Sequence, residues 1–182
     1  MPTQRRTTIL RILVLMGVAA LIVLLFVYRE QVLALQQYGY LGIFLISIAA
    51  NATIIIPLPG VAITTAMGAI FNPLGVAIAA GLGAALGELS GYLAGFSGQA
   101  IVEKTAFYER LTGWMQAHPR LNMFVILALA FIPNPLFDVA GFAAGTLKLP
   151  LWQFLLPCAI GKILKMLMFA YAGALSFDWL MK

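Results

Sequence analysis

Phe131-Ile-Pro-Asn-Pro-Leu-Phe-Asp138-Val-Ala-Gly141, running on through Gly145 to Pro150, places prolines, a carboxylate and glycines inside an otherwise apolar region. A soluble core helix does not tolerate this pattern, because a proline in a helix interior removes a backbone donor and clashes with the preceding turn. An ordinary membrane span does not tolerate it either, because an ionised Asp is costly in hydrocarbon. Backbone interrupted in this way survives at membrane depth only when it is buried in protein or lines a wet cavity.

The composition selects the membrane. Of 182 residues, 63% are hydrophobic and only 9% charged, where a soluble domain carries about 25% charged residues. The net charge of +5 comes from scattered basic residues. That excludes a nucleic-acid surface and suits topology markers and contacts to anionic headgroups. Cys158 is the only cysteine and lies in an apolar run. Arg5, Arg6 and Arg11 precede the apolar run Ile12 to Val27, so residues 1–30 are expected to be an uncleaved transmembrane helix with a cytoplasmic N-terminus.

Breaks at Pro57-Leu-Pro59-Gly60 and Asn72-Pro73 divide the next stretch. Residues 38–56 can form one helix, 61–71 are too short to cross, and 74–101 can cross once. Residues 103–120 hold Glu103, Lys104, Glu109, Arg110, His118 and Arg120, with Phe107, Leu111, Trp114 and Met115 at helical spacing. They read as an amphipathic helix in the membrane interface, with His118 a surface residue. Then come the apolar run 121–132, a short run 139–147, and a long run 151–176 that follows Pro150.

The two halves repeat. Gly68, Pro73 and Leu74 map onto Gly145, Pro150 and Leu151 at a spacing of 77, and Pro57-x-Pro59 onto Pro133-x-Pro135 at 76. With the basic segments placed inside, 38–71 becomes a hairpin entering from outside and 121–147 one entering from inside, with Pro57, Pro59, Pro133, Asn134 and Pro135 at the tips. The expected fold is an all-α polytopic membrane protein. It is an inverted repeat with two re-entrant helical hairpins, transmembrane helices and an interfacial amphipathic helix. The repeats occupy 38–102 and 121–176 of a single membrane domain. Paired short, Pro/Gly-interrupted segments point to a transporter's binding site.

Four ionisable residues carry the candidate chemistry. Glu88 lies beside the ridge Gly83, Gly87, Gly91, Gly95, whose spacing lets another helix approach closely. It is either a structural ion-pair member or a proton- or substrate-responsive acid. At the spacing of 77 its counterpart is Lys165, which suggests a charge pair. Lys162 and Lys165 share a helix face and are too deep to snorkel easily, so they suit a phosphate headgroup. Asp138 is a helix N-cap or an acid at a hairpin tip. Asn51, Asn134, Thr64 and Thr65 are polar candidates near the tips. No nucleophile–base pair, phosphate loop, metal cluster or dinucleotide fingerprint is present, so an enzyme, a metal and a cofactor are not expected.

The glycine–glutamate ridge, together with Phe131-x-Pro133-x-Pro135-x-Phe137-Asp138-x-x-Gly141-x-x-x-Gly145, Pro150, Phe154 and Gly161 with basic residues after it, resembles the DedA/VTT family, also called SNARE-associated Golgi proteins. Residues 40–175 carry the likeness. It implies facing re-entrant hairpins and lipid movement: recycling of polyprenyl phosphate in bacterial members, and phospholipid scrambling in eukaryotic relatives. Functionally important membrane acids and proton coupling are implied too. Two departures stand out: Ala128-Leu129-Ala130 occupies a neighbourhood where many members carry Arg, and Lys162 and Lys165 stand where Arg is common. The expected function is a flippase or scramblase of the inner (plasma) membrane acting on an anionic-headgroup lipid, with protons as coupling partners. A homo-oligomer is compatible with this, and nucleic acid is not a partner. The alternatives are a proton- or cation-coupled small-solute transporter and a non-transporting membrane scaffold.

Overall fold

The computed structural model describes residues 36–52, 60–97, 106–133 and 137–180. The expected N-terminal span over 1–30 and the tip residues Pro57, Pro59, Asn134 and Pro135 lie outside them. The described residues form helices α1 (Gln36–Ala52), α2 (Gly60–Gly68), α3 (Pro73–Gly87), α4 (Leu89–Phe96), α5 (Ala106–Ala117), a 3-10 turn (Pro119–Leu121), α6 (Asn122–Phe131), α7 (Phe137–Thr146) and α8 (Leu151–Leu180).

Local chemistry sets these boundaries. Pro73 opens α3 at a position where its missing N–H costs nothing. The Asn72 side chain accepts from the Leu74 and Gly75 amides at 3.0 and 3.3 Å, capping the same end. α6 stops where Ile132 turns extended (φ −67°, ψ 129°), as a residue before proline prefers. Pro119 separates α5 from α6, so the expected interfacial segment ends as its sequence requires. α5 buries Leu111 and Met115 and exposes Glu109, Arg110 and Gln116.

Among the described residues, two helical stretches are long and apolar enough to cross a membrane, Pro73–Phe96 and Leu151–Ser176. α2 and α7, of 9 and 10 residues, are too short. A short helix precedes each long one, so the order helix, short helix, long helix occurs twice.

Glycines set the packing. α1 runs parallel to α3, with Gly75 against Tyr40, Gly83 against the Phe44 carbonyl and Gly87 against the Ile48 carbonyl. α7 runs beside α4, where Gly95 meets the Phe142 carbonyl and Gly145 the Tyr92 carbonyl. α2 packs on α8 in the corresponding way, with Gly173 on the Thr65 carbonyl and Gly68 on Ala170. Each short helix therefore lies against the long helix of the other half. The core divides accordingly. One cluster holds Tyr92, Leu111, Met115, Ile126, Phe137, Phe154 and Cys158. The other holds Ile43, Phe71, Val76, Ala80, Met166 and Ala170.

Candidate functional site

The four-glycine ridge serves two different neighbours. Gly83 and Gly87 receive α1, whereas Gly91 and Gly95 face α7. Glu88 stands where the ridge changes partner, between α3 and α4. Its own backbone stays close to helical (φ −64°, ψ −14°), and its amide still donates to the Ala84 carbonyl at 3.1 Å. The long helix is thus tightened at Glu88 without being broken, and the carboxyl is buried at 3% exposure.

Lys162 of α8 meets it. The Lys162 ammonium donates to Glu88 Oε1 at 2.5 Å and to Asn51 Oδ1 at 3.0 Å. It also lies 4.7 Å from the centre of the Phe137 ring, within cation–π range. Asn51 is oriented in turn by donating its amide to the Ser47 carbonyl at 2.9 Å. One buried ammonium thereby ties α1, the α3–α4 junction, α7 and α8 together. Lys162 is eleven residues beyond the start of α8, ~16 Å along the helix axis, which is about half of a ~30 Å hydrocarbon core. Desolvation of these charges is offset only because each meets a charge-assisted partner.

The pairing expected from the sequence, Glu88 with Lys165, gives way to Glu88 with Lys162. The physical reason lies in the register. The long helices begin 78 apart, at Pro73 and Leu151, and their glycine contacts recur at that spacing, with Gly83 on the Phe44 carbonyl and Gly161 on the Leu127 carbonyl. In the long helices the counterpart of Glu88 is therefore Met166, buried in the second core cluster. Pro73 lies inside its helix, whereas Pro150 immediately precedes α8.

Lys165 is also buried, at 8% exposure. Among the described residues it has no ion pair or hydrogen bond, although Glu88, Lys162 and Asp138 lie within electrostatic range. Asp138 is exposed and is the second residue of α7, so it occupies the first turn rather than the cap position. A carboxylate there favours the helix dipole. Its backbone carbonyl faces Gly91 across the α4–α7 contact. Gly141 rests near the Phe154 ring and the Glu88 carbonyl. Thr64 and Thr65 are turned inward to the Gly60 and Val61 carbonyls, at 2.8 and 2.9 Å. Pro133 is exposed just beyond α6. His118 is a surface residue, stacked on Trp114 at 4.6 Å.

Two partners of the network had weak sequence signals. Asn51 stood out only as a polar residue near a proline break. Phe137 was visible only as part of a motif, because nothing local says that its ring will cover an ammonium from another helix.

The chain is 46% identical over 54 residues to vacuole membrane protein KMS1 of Arabidopsis thaliana, a match covering 29% of this chain and 13% of that one. It is 52% identical over 42 residues to the vacuole membrane protein 1 homolog of Dictyostelium discoideum, covering 23% and 10%. It is 50% identical over 48 residues to vacuole membrane protein 1 of Homo sapiens, covering 26% and 12%. In each case the chain spans little more than a tenth of the relative's length. No solved structure matches. The family model described as the VTT domain matches residues 58–175, which include α2, the glycine–glutamate ridge, α7 and both lysines of α8. A membrane protein with, among its described residues, two helices long enough to cross and a buried Glu88–Lys162 pair at their contact, this chain belongs to the VTT-domain (DedA/SNARE-associated Golgi) family.

Proposed function

We propose that this protein moves a lipid with a phosphate headgroup, such as a phospholipid or polyprenyl phosphate, across the bilayer as a flippase or scramblase. The observation that carries the reading is the division of labour between two buried lysines. Lys162 is consumed by Glu88, Asn51 and Phe137. Lys165, one turn further on, has no ion pair or hydrogen bond among the described residues. A charged side chain at the centre of a membrane helix costs about 2.5–3.5 kcal/mol on insertion scales. Holding Lys165 there without a matched anion in contact is reasonable if a passing phosphate supplies one. Lys binds such a group as a point charge, which suits transient binding.

The reading includes two re-entrant hairpins related by an inverted repeat. Supporting it are the reciprocal packing of α2 on α8 and α7 on α4, and glycine contacts that recur at matched positions. It also places the protein in the plasma (inner) membrane with its N-terminus in the cytoplasm. Supporting that orientation, Arg110, Arg120 and Lys148 lie at the end where α5 packs. Protonation of Glu88 or Asp138 would couple movement to protons. Lipid movement is measured in liposomes with fluorescent phospholipid and with polyprenyl phosphate. Lys165→Ala is expected to abolish movement while the protein stays folded. Movement unchanged in Lys165→Ala overturns the reading. Proton-linked solute uptake without lipid movement would establish a solute carrier, and absence of both, with tight partner capture, a scaffold.

A further inference from the structure

Lys148 is the one non-glycine residue with positive φ among the described residues, at 51°. It closes α7 in a Schellman turn: the Lys148 amide donates to the Gly145 carbonyl at 2.9 Å, and the Leu149 amide to the Ala144 carbonyl at 3.1 Å. Glycine is the residue this position favours, since an L side chain is strained in the left-handed region. The Lys148 side chain is exposed, with its ammonium 6.0 Å from the centre of the half-exposed Phe96 ring at the end of α4.

The surroundings identify the end of the molecule. α4 and α7 run side by side, so Phe96, Thr146 and the turn 147–150 lie together. α5 joins them through Tyr108 on Phe142, at 5.5 Å, and through Leu111 and Met115, buried in the cluster that Leu147 and Leu149 also pack against. Among the described residues this end exposes Arg110, His118, Arg120 and Lys148 against one exposed acid, Glu109, on α5. At the opposite end, none of the described residues Tyr40, 69–72 and 171–176 is charged, and α8 continues from there to Asp178. Trp152, 60% exposed at the start of α8, adds an aromatic side chain of the kind enriched at headgroup depth.

We propose that Lys148 is a headgroup contact for the anionic leaflet: its ammonium, carried on a turn that would be better served by glycine, engages lipid phosphate at the basic end of the molecule. The contact is separate from the Glu88–Lys162 pair and does not depend on lipid movement.

Lys148→Gly is the decisive variant, because it relieves the backbone strain while removing the charge. The full chain is purified in zwitterionic detergent, and retained phosphatidylglycerol and phosphatidylcholine are counted by native mass spectrometry. Expected are a thermal midpoint that is equal or raised, phosphatidylglycerol retention lowered about fivefold, the share carried by one lysine near an anionic surface, and unchanged phosphatidylcholine. Lys148→Arg is expected to keep retention near that of the parent. Unchanged phosphatidylglycerol retention in Lys148→Gly overturns the proposal. A lowered thermal midpoint in Lys148→Gly also overturns it, since the lysine would then be held for the fold.

Discussion

Lys162→Met is the most informative single perturbation. It removes the donor to Glu88 Oε1 and to Asn51 Oδ1 and the cation over Phe137, leaving a carboxyl at 3% exposure without its counter-charge. Breaking a buried pair by losing one partner costs about 3–5 kcal/mol, and Glu88→Met should cost a similar amount by stranding the ammonium. Removing both charges together is different. The stranded-charge penalty disappears, and what remains is chiefly Asn51 Oδ1 deprived of its donor, about 1–3 kcal/mol. The double variant should therefore be more stable than either single one, with a coupling of at least ~3 kcal/mol. The parallel cycle, Glu88→Met with Lys165→Met, should couple by less than about 1 kcal/mol, because those side chains are near but not bonded. Unfolding in mixed micelles titrated with a denaturing detergent gives all the free energies. Near-additive loss in the Glu88–Lys162 cycle, or stronger coupling to Lys165, refutes the assignment of the pair.

Three other outcomes follow from the packing. Gly145→Val and Gly95→Val each drive a side chain into the carbonyl of the facing helix; losses of at least ~2 kcal/mol are expected from overpacking, whereas Gly42→Ala, with open space around it, should gain about 0.5–1 kcal/mol, all read from unfolding in detergent. Tyr92→Phe removes the donor to the Leu149 carbonyl at 2.6 Å and should cost about 1 kcal/mol, with faster amide exchange at residues 147–150. Asn72→Ala uncaps α3 and should cost about 1 kcal/mol, which Asn72→Asp or Asn72→Ser should largely restore.

The elements were legible because their boundaries are local. Asn72-Pro73, Pro119, Pro133 and Pro150 each act through a missing amide or a fixed φ on the residues beside them. Within the described residues, helices accordingly fall close to the runs expected at 38–56, 61–71, 74–101, 103–120, 121–132, 139–147 and 151–176. The glycine ridge announced a close helix contact, but not that its two halves serve different helices. Whether α1 or α7 faces a given glycine depends on the whole packing. The partner of Glu88 was misread for a sharper reason. A helix turns about 100° per residue, so a spacing of 78 in the long helices in place of 77 is enough to replace Lys165 by Met166 as the counterpart of Glu88. Landmarks counted along the sequence hide that shift, because Pro73 lies inside its helix while Pro150 precedes α8.

The corrected register also changes what the pair is. Glu88 and Lys162 are not equivalent positions in the two halves, so neither has a copy of itself facing it. The residue 78 before Lys162 is Ala84, fully buried in the second core cluster. Asn51, the other bonded partner of Lys162, comes from α1 of the first half. Both bonded partners of Lys162 thus come from the first half, and its ring partner, Phe137, begins the short helix of the second. The network is a one-sided clamp across an otherwise reciprocal packing. It fixes α1, α3–α4 and α8 to one another and reaches only the first residue of α7. Lys165 and the exposed Asp138 then belong to the less constrained side, where charge is in range but not bonded. If the protein moves lipid phosphate as proposed, the asymmetry has a use. A site with every charge bonded would have nothing to offer an anion. A site with no clamp would have two buried lysines repelling one another without a carboxylate to hold either. Neutralising Lys162 with Glu88 leaves Lys165 as the cation whose charge is available, and makes Lys165, not Lys162, the residue whose loss should stop transport without unfolding the protein.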